Sequence, residues 1–305
     1  MLFFPFKADL SLFRFPFITI AICILCLLVY NNQFQNERRV VKAGTDFCEE
    51  RGPQMWRMVM DLSLGDTSAN ACAEMMWTIH LSDHPQTEID IYAAKGKPFA
   101  GLTAEASLAY KREVIIERYQ SFRTRVPQYT TQQLWYQPYS WDPWHMLTAA
   151  FAHGSWDHVI GNLFFFFAFA ATVEVILGSL VYAVVVVVLA LGTHAFYSVA
   201  MLAVPDAVPT VGLSGVVMGM MAMFAFFLPL GRIKCFLWFL VIIRIIPVPA
   251  WILAGWYIGW DVLALLRSEE MDGVNIIAHV SGAAIGYMLG VLFFRARRAE
   301  VRALL

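Results

Sequence analysis

Six apolar stretches, each near the length that crosses a bilayer, leave this chain few ways to fold. A hydrocarbon core of about 30 Å takes about 20 apolar residues as helix. The stretches are 15–30, 158–177, 180–204, 211–230, 250–266 and 274–294. In lipid, backbone N–H and C=O groups must be bonded internally, which restricts such segments to helices. Composition agrees: of 305 residues, 59% are hydrophobic and 15% charged, with mean hydropathy +0.59. Soluble domains carry roughly a quarter charged residues. The expected fold class is an all-α polytopic membrane protein, a bundle of six transmembrane helices. A net charge of −1 gives no electrostatic footprint for nucleic acid.

The spans divide the chain. Residues 1–30 form an N-terminus and first span, retained because no small-x-small cleavage signal follows it. Residues 31–134 are a polar insertion between spans one and two, with a helix expected over 104–123. Residues 135–295 hold spans two to six, and 296–305 form a basic tail. Residues 135–144 are dense in Trp, Tyr and Pro, which suits the headgroup level. Cys235–Ile246 is apolar but broken by Arg244 and followed by Pro247 and Pro249. It is expected to be interfacial or re-entrant, with a seventh crossing as the alternative.

Cys23, Cys26 and Cys235 lie in or beside apolar runs, as small fillers. His80 and His84 are spaced i, i+4 without an accompanying HExxH, and are read as polar surface. No metal site and no cofactor is expected.

Positive charge sets the orientation. One side receives Lys7, Arg14, Arg232, Lys234 and the arginines of the tail. The other receives the insertion, Asp206 and the acidic loop 267–272. The first side is therefore expected to be cytoplasmic, in a bacterial-type inner membrane, with both termini inside. Outside, a Cys48–Cys72 disulfide is permitted.

Even-numbered spans then all run from outside to inside, and each carries polar residues near its start. His158 and Asn162 open span two, Ser214 opens span four, and His279 lies early in span six. Polar groups in lipid are costly unless paired. Gly282 and Gly286 share a helix face with His279, while Gly215 and Gly219 follow Ser214. Small residues at this spacing let membrane helices approach closely. A Ser214–His279 hydrogen bond across that contact is therefore natural. His279 could serve as base for the Ser214 hydroxyl. A helix starting at Gly212 aims free N–H groups at the Ser214 region, and His158 and Asn162 can add donors for an oxyanion. The spans show no acid near His279, Glu174 being at the far end of span two, so a dyad is expected.

Three motifs together resemble the rhomboid family of intramembrane serine proteases. They are Gly212-Leu213-Ser214-Gly215, the run from His153 to Asn162, and Ala278-His279-Val280-Ser281-Gly282. The resemblance covers roughly residues 135–295 and leaves 31–130 unaccounted for. It implies Ser214 as nucleophile, His279 as base, and His158 and Asn162 in the oxyanion hole. Gly212, Gly215, Gly282 and Met218 would support the site structurally. Glu174 and Gly178 look like the residues that close the family's second helix. His145 follows Trp144 where the family often has Arg, and Met218 stands where many members carry Tyr. The implied partners are membrane-protein substrates of single span, within the lipid bilayer. The rival readings are an inactive relative that binds transmembrane helices, and a transporter. The transporter reading lacks an inverted repeat or paired midplane charges.

Overall fold

The computed structural model describes residues 2–8, 15–50, 52–82, 84–204, 207–239, 242–267 and 275–303. Arg14, Asp206 and loop positions 268–272, used above for orientation, lie outside the described residues. The chain divides into two compact units, Phe34–Thr130 and the remainder, Met1–Gln33 with Thr131–Leu305.

The larger unit is mostly helical. It opens with strand β1 (Leu2–Ala8), followed by α1 (Phe17–Glu49), whose later turns belong to the other unit. After the insertion come α6 (Thr130–Leu134), α7 (Pro143–Phe151), α8 (Trp156–Leu177), α9 (Ser179–Met201) and α10 (Ser214–Phe227). Strands β2 (Arg232–Phe239) and β3 (Ile242–Pro249) lead to α11 (Ala250–Leu266), α12 (Ile276–Phe293) and α13 (Arg295–Ala303). The insertion itself carries α2 (Gln54–Leu64), α3 (Ala69–Leu81), α4 (Pro85–Ala94) and α5 (Ala104–Arg125).

Among the described residues, four helices, α1, α8, α9 and α12, are long and apolar enough to cross a membrane. Helices α10 and α11 are apolar but shorter, at 14 and 17 residues. At 1.5 Å per residue, α10 extends only about 21 Å. Twelve of its residues are buried, so it is sheathed by protein on nearly every side. Its main partner is α12, with α8, α9 and α11 also against it.

The expectation of an all-α chain is corrected by a three-stranded antiparallel sheet in the order β1-β2-β3. Cys235–Ile246, expected to be interfacial or re-entrant with a seventh crossing as the alternative, falls in strands β2 and β3, with Cys235 opposite Ile246 and Leu237 opposite Arg244. The run is rich in β-branched isoleucine, and a strand tolerates Pro247 and Pro249 at its end where a helix would not. Phe4 of β1 packs its ring on Phe164 of α8 at 4.9 Å and on Phe236 of β2 at 5.4 Å.

The start of α1 is fastened by a buried carboxylate. Glu174, 2% exposed, accepts the backbone N–H of Ile18 at 2.9 Å and of Thr19 at 2.7 Å, and the Thr19 and Ser179 hydroxyls at 2.8 Å each. Four donors, two on each oxygen, satisfy the buried carboxyl group at the N-terminus of α1.

The unit Phe34–Thr130 is built differently. Trp56, Val59, Met60, Met75, Met76, Ile79, Ile115 and Phe122 form an ordinary side-chain core, with the disulfide-bonded Cys48 and Cys72 buried among them. Ser68 and Thr103 cap α3 and α5 by accepting the N–H groups of Ala71 and Ala106 at 3.2 Å. His80 is not polar surface: its ring packs against those of Trp77, Tyr119 and Phe122, with both ring nitrogens buried and unpartnered. Burial, and then the Arg123 charge, hold His80 below the usual imidazole range.

Candidate active site

The site is assembled where α7, α8, α10 and α12 begin or end. The chain entering α10 is pinned on both sides. Tyr136 and Thr210 exchange backbone hydrogen bonds of 3.0 Å each, and the Gly212 N–H donates to the Ala149 carbonyl at 2.8 Å. The Asn275 side chain donates to Thr210 Oγ1 at 3.1 Å while its oxygen caps α12 at the Ala278 N–H, 2.9 Å away.

Gly212 has φ +126°, a backbone region that side chains rarely adopt. A Cβ there would also lie 2.9 Å from the His158 ring and 3.7 Å from Asn162 Nδ2. His158 and Asn162, one turn apart on α8, thus flank the turn that delivers Ser214. Asp142, Ser155 and Asn275 cap α7, α8 and α12, whereas no side chain caps α10. Its first N–H groups therefore remain available beside Ser214.

Glycines set the spacing of α10 and α12. A Cβ on Gly282 would come within 2.1 Å of the Gly215 carbonyl oxygen, and one on Gly286 within 2.2 Å of that of Gly219. These helices touch backbone to backbone, as the glycine spacing implied. Ser214 and His279 flank the upper contact in sequence, one residue before Gly215 and three before Gly282. Among the described residues, no hydrogen bond joins Ser214 Oγ to His279. Met218 is buried in α10.

Donors are poised on α8. Asn162 Nδ2 is buried without a hydrogen-bond partner. His158 Nδ1 faces the Gly154 N–H at 3.5 Å, the long limit of a hydrogen bond, and its ring lies within electrostatic reach of His279. An Nδ1 that accepts leaves the proton on Nε2.

The expectation that no acid neighbours His279 is corrected. Asp261 Oδ2 lies 3.0 Å from His279 Nδ1, and the two side chains are only 11% and 15% exposed. Asp261 sits near the C-terminal end of α11. In the expected six-span frame, odd-numbered spans would end at the depth where even-numbered spans begin, and that is the sequence signal for Asp261.

The other imidazoles are accounted for. His153 is 1% exposed, its ring 5.1 Å from that of His158 and its backbone bonded to the Gln33 side chain. Burial, then the charge of His158, pushes His153 down to about 4, against a raising effect of the Phe151 carbonyl. His194 donates locally to the Ala190 carbonyl at 2.7 Å, and its ring packs edge-on against Tyr136. His145 pairs with Asp142 at 2.6 Å, tying it to the cap of α7. Among the described residues, no group of three His, Cys, Asp or Glu is arranged to hold a metal ion.

Comparison with family models places residues 140–296 in the Rhomboid domain family. That match spans just over half of the chain, which belongs to the rhomboid family, an integral-membrane family of intramembrane serine proteases that also has inactive members. Comparison with curated proteins and with solved structures gives no significant match.

Proposed function

We propose that this chain is an active serine endopeptidase that cuts peptide bonds in or near the transmembrane segments of single-span membrane proteins. Ser214 is the nucleophile and His279 the general base. Ser214 Oγ attacks the scissile carbonyl carbon, and its proton passes to His279 Nε2. The tetrahedral oxyanion is held by N–H groups at the start of α10 together with Asn162 and His158. Collapse breaks the C–N bond as the Nε2 proton goes to the departing amine, leaving an acyl-enzyme on Ser214. Water, deprotonated by His279, then releases the acid.

The observation that carries this reading is the direct backbone packing of Gly282 on Gly215, one residue from Ser214 and three from His279. The unpartnered Asn162 amide beside Gly212 adds to it. Substrate backbone must leave its helix before an amide can be attacked, because helical amides are shielded and bonded. Substrates with Gly or Pro near the cut are therefore favoured. The proposed frame has six spans, both termini cytoplasmic, residues 31–134 outside and the site opening outward in a bacterial inner membrane.

Cleavage of a model transmembrane substrate in detergent tests the reading. Wild type should cut, while Ser214→Ala and His279→Ala should not. If both variants still cut, the assignment is wrong. A fluorophosphonate should label wild type and leave Ser214→Ala unlabelled.

A further inference from the structure

Asp261 is the one charged residue in the whole of α11, Ala250–Leu266. An ionisable group in an apolar helix is costly and calls for a reason. It is 8% exposed, and its carboxylate is directed at a ring nitrogen of His279. The bonded nitrogen is Nδ1, which leaves Nε2 as the ring nitrogen for chemistry.

We propose that Asp261 is a positioning residue for His279, acting on the Ser214–His279 chemistry proposed above and resting on that reading. A carboxylate accepts only, so the proton between the pair stays on Nδ1 and the neutral ring keeps Nε2 free to accept. When the Ser214 proton moves to Nε2, His279 becomes an imidazolium. Asp261 remains ionised beside it, stabilising the new positive charge without itself taking a proton. The same bond fixes the ring plane, because α11 and α12 each hold one end of it. The acid that orients the imidazole thus comes from α11.

The competing explanation is that Asp261 only fastens α11 to α12. Three variants separate the two. Asp261→Ala removes acceptor and charge, Asp261→Asn keeps the volume and one acceptor oxygen, and Asp261→Glu restores the charge one methylene further out. Each is assayed for cleavage of a transmembrane substrate in detergent, with kcat and KM determined separately beside wild type and Ser214→Ala. The His279 Nδ1–H resonance is followed by NMR in selectively labelled protein, and thermal unfolding is recorded.

The expected result is a kcat lower by on the order of 100-fold or more in Asp261→Ala and Asp261→Asn, with KM within about twofold, and partial recovery in Asp261→Glu. The downfield Nδ1–H resonance of wild type should vanish in Asp261→Ala. Unchanged kcat in Asp261→Asn, a loss confined to KM, or a loss of activity that tracks melting across all three variants would overturn the proposal. Failure of the underlying reading looks different: Ser214→Ala would then cut as well as wild type. Failure of the inference alone leaves Ser214→Ala dead and Asp261→Asn active.

Discussion

The two units of this chain cohere by different means. In Phe34–Thr130, Trp56, Met75, Met76 and Phe122 fill a core against water, and the helix ends are capped by Ser68 and Thr103. The hydrophobic effect supplies the drive, and side-chain volume supplies the fit. In the larger unit the central contact has almost no side chain in it, since Gly215 and Gly219 meet Gly282 and Gly286. Lipid tails are as apolar as leucine, so burial gives little net drive there, and close backbone contact with buried polar pairs takes its place. The comparison teaches that the smaller unit should tolerate exchanges of volume, whereas the contact beside the site should tolerate almost none.

The sharpest break is Gly282→Leu. Its Cβ would fall 2.1 Å from a backbone oxygen that no rotamer can move. Proteolysis should be abolished and thermal unfolding lowered steeply, measured by substrate cleavage and melting in detergent. Met75→Leu in the other core should cost less than about 1.5 kcal/mol by the same melting measurement. Equal sensitivity at the two positions would erase the contrast.

Next in size is Asn162→Ala. Loss of one oxyanion donor should lower kcat roughly 100- to 1000-fold while melting is preserved. An unchanged rate would remove Asn162 from the site.

A smaller effect is expected from the Cys48→Ser, Cys72→Ser pair. The bond closes a loop across a separation of 24 residues, and its loss should destabilise Phe34–Thr130 by roughly 3 kcal/mol. Amide exchange confined to that unit reads it. The smallest effect concerns His80. Burial, and then the Arg123 charge, lower the pKa of this ring in the folded unit, while the unfolded chain protonates it near pH 6.5. Protons therefore favour unfolding. Stability should be full above about pH 6.5 and decline as pH falls below it, and His80→Leu should flatten that slope in exchange measured from pH 7 to 5.

Much of this was legible before any coordinates. The glycine offsets around Ser214 and His279 made the α10–α12 contact readable, because helix periodicity is local and the spacing is regular. Asp261 is not legible locally, since its partner His279 lies 18 residues away on another helix. His80 looked like surface because its i, i+4 partner His84 is polar, yet the aromatic rings around His80 come from α3 and from α5, about 40 residues on. The hairpin escaped because an apolar run with an arginine and two prolines reads equally as a broken helix. What decides for strands is pairing, and pairing with β1 is beyond the reach of any local window.

That pairing has a consequence in the timing of synthesis. Phe4 lies opposite Phe236, so β1 leaves the ribosome more than 200 residues before its partner strand exists. At roughly 5–20 residues per second, the wait is on the order of 10 to 50 s. Four apolar helices, α1, α8, α9 and α10, are made in that interval. The β2–β3 hairpin is local and can close as soon as Pro249 emerges, presenting a ready edge. β1 is thus fastened long after it is made, and the sheet can close before α11 and α12, the later partners of α10, are translated.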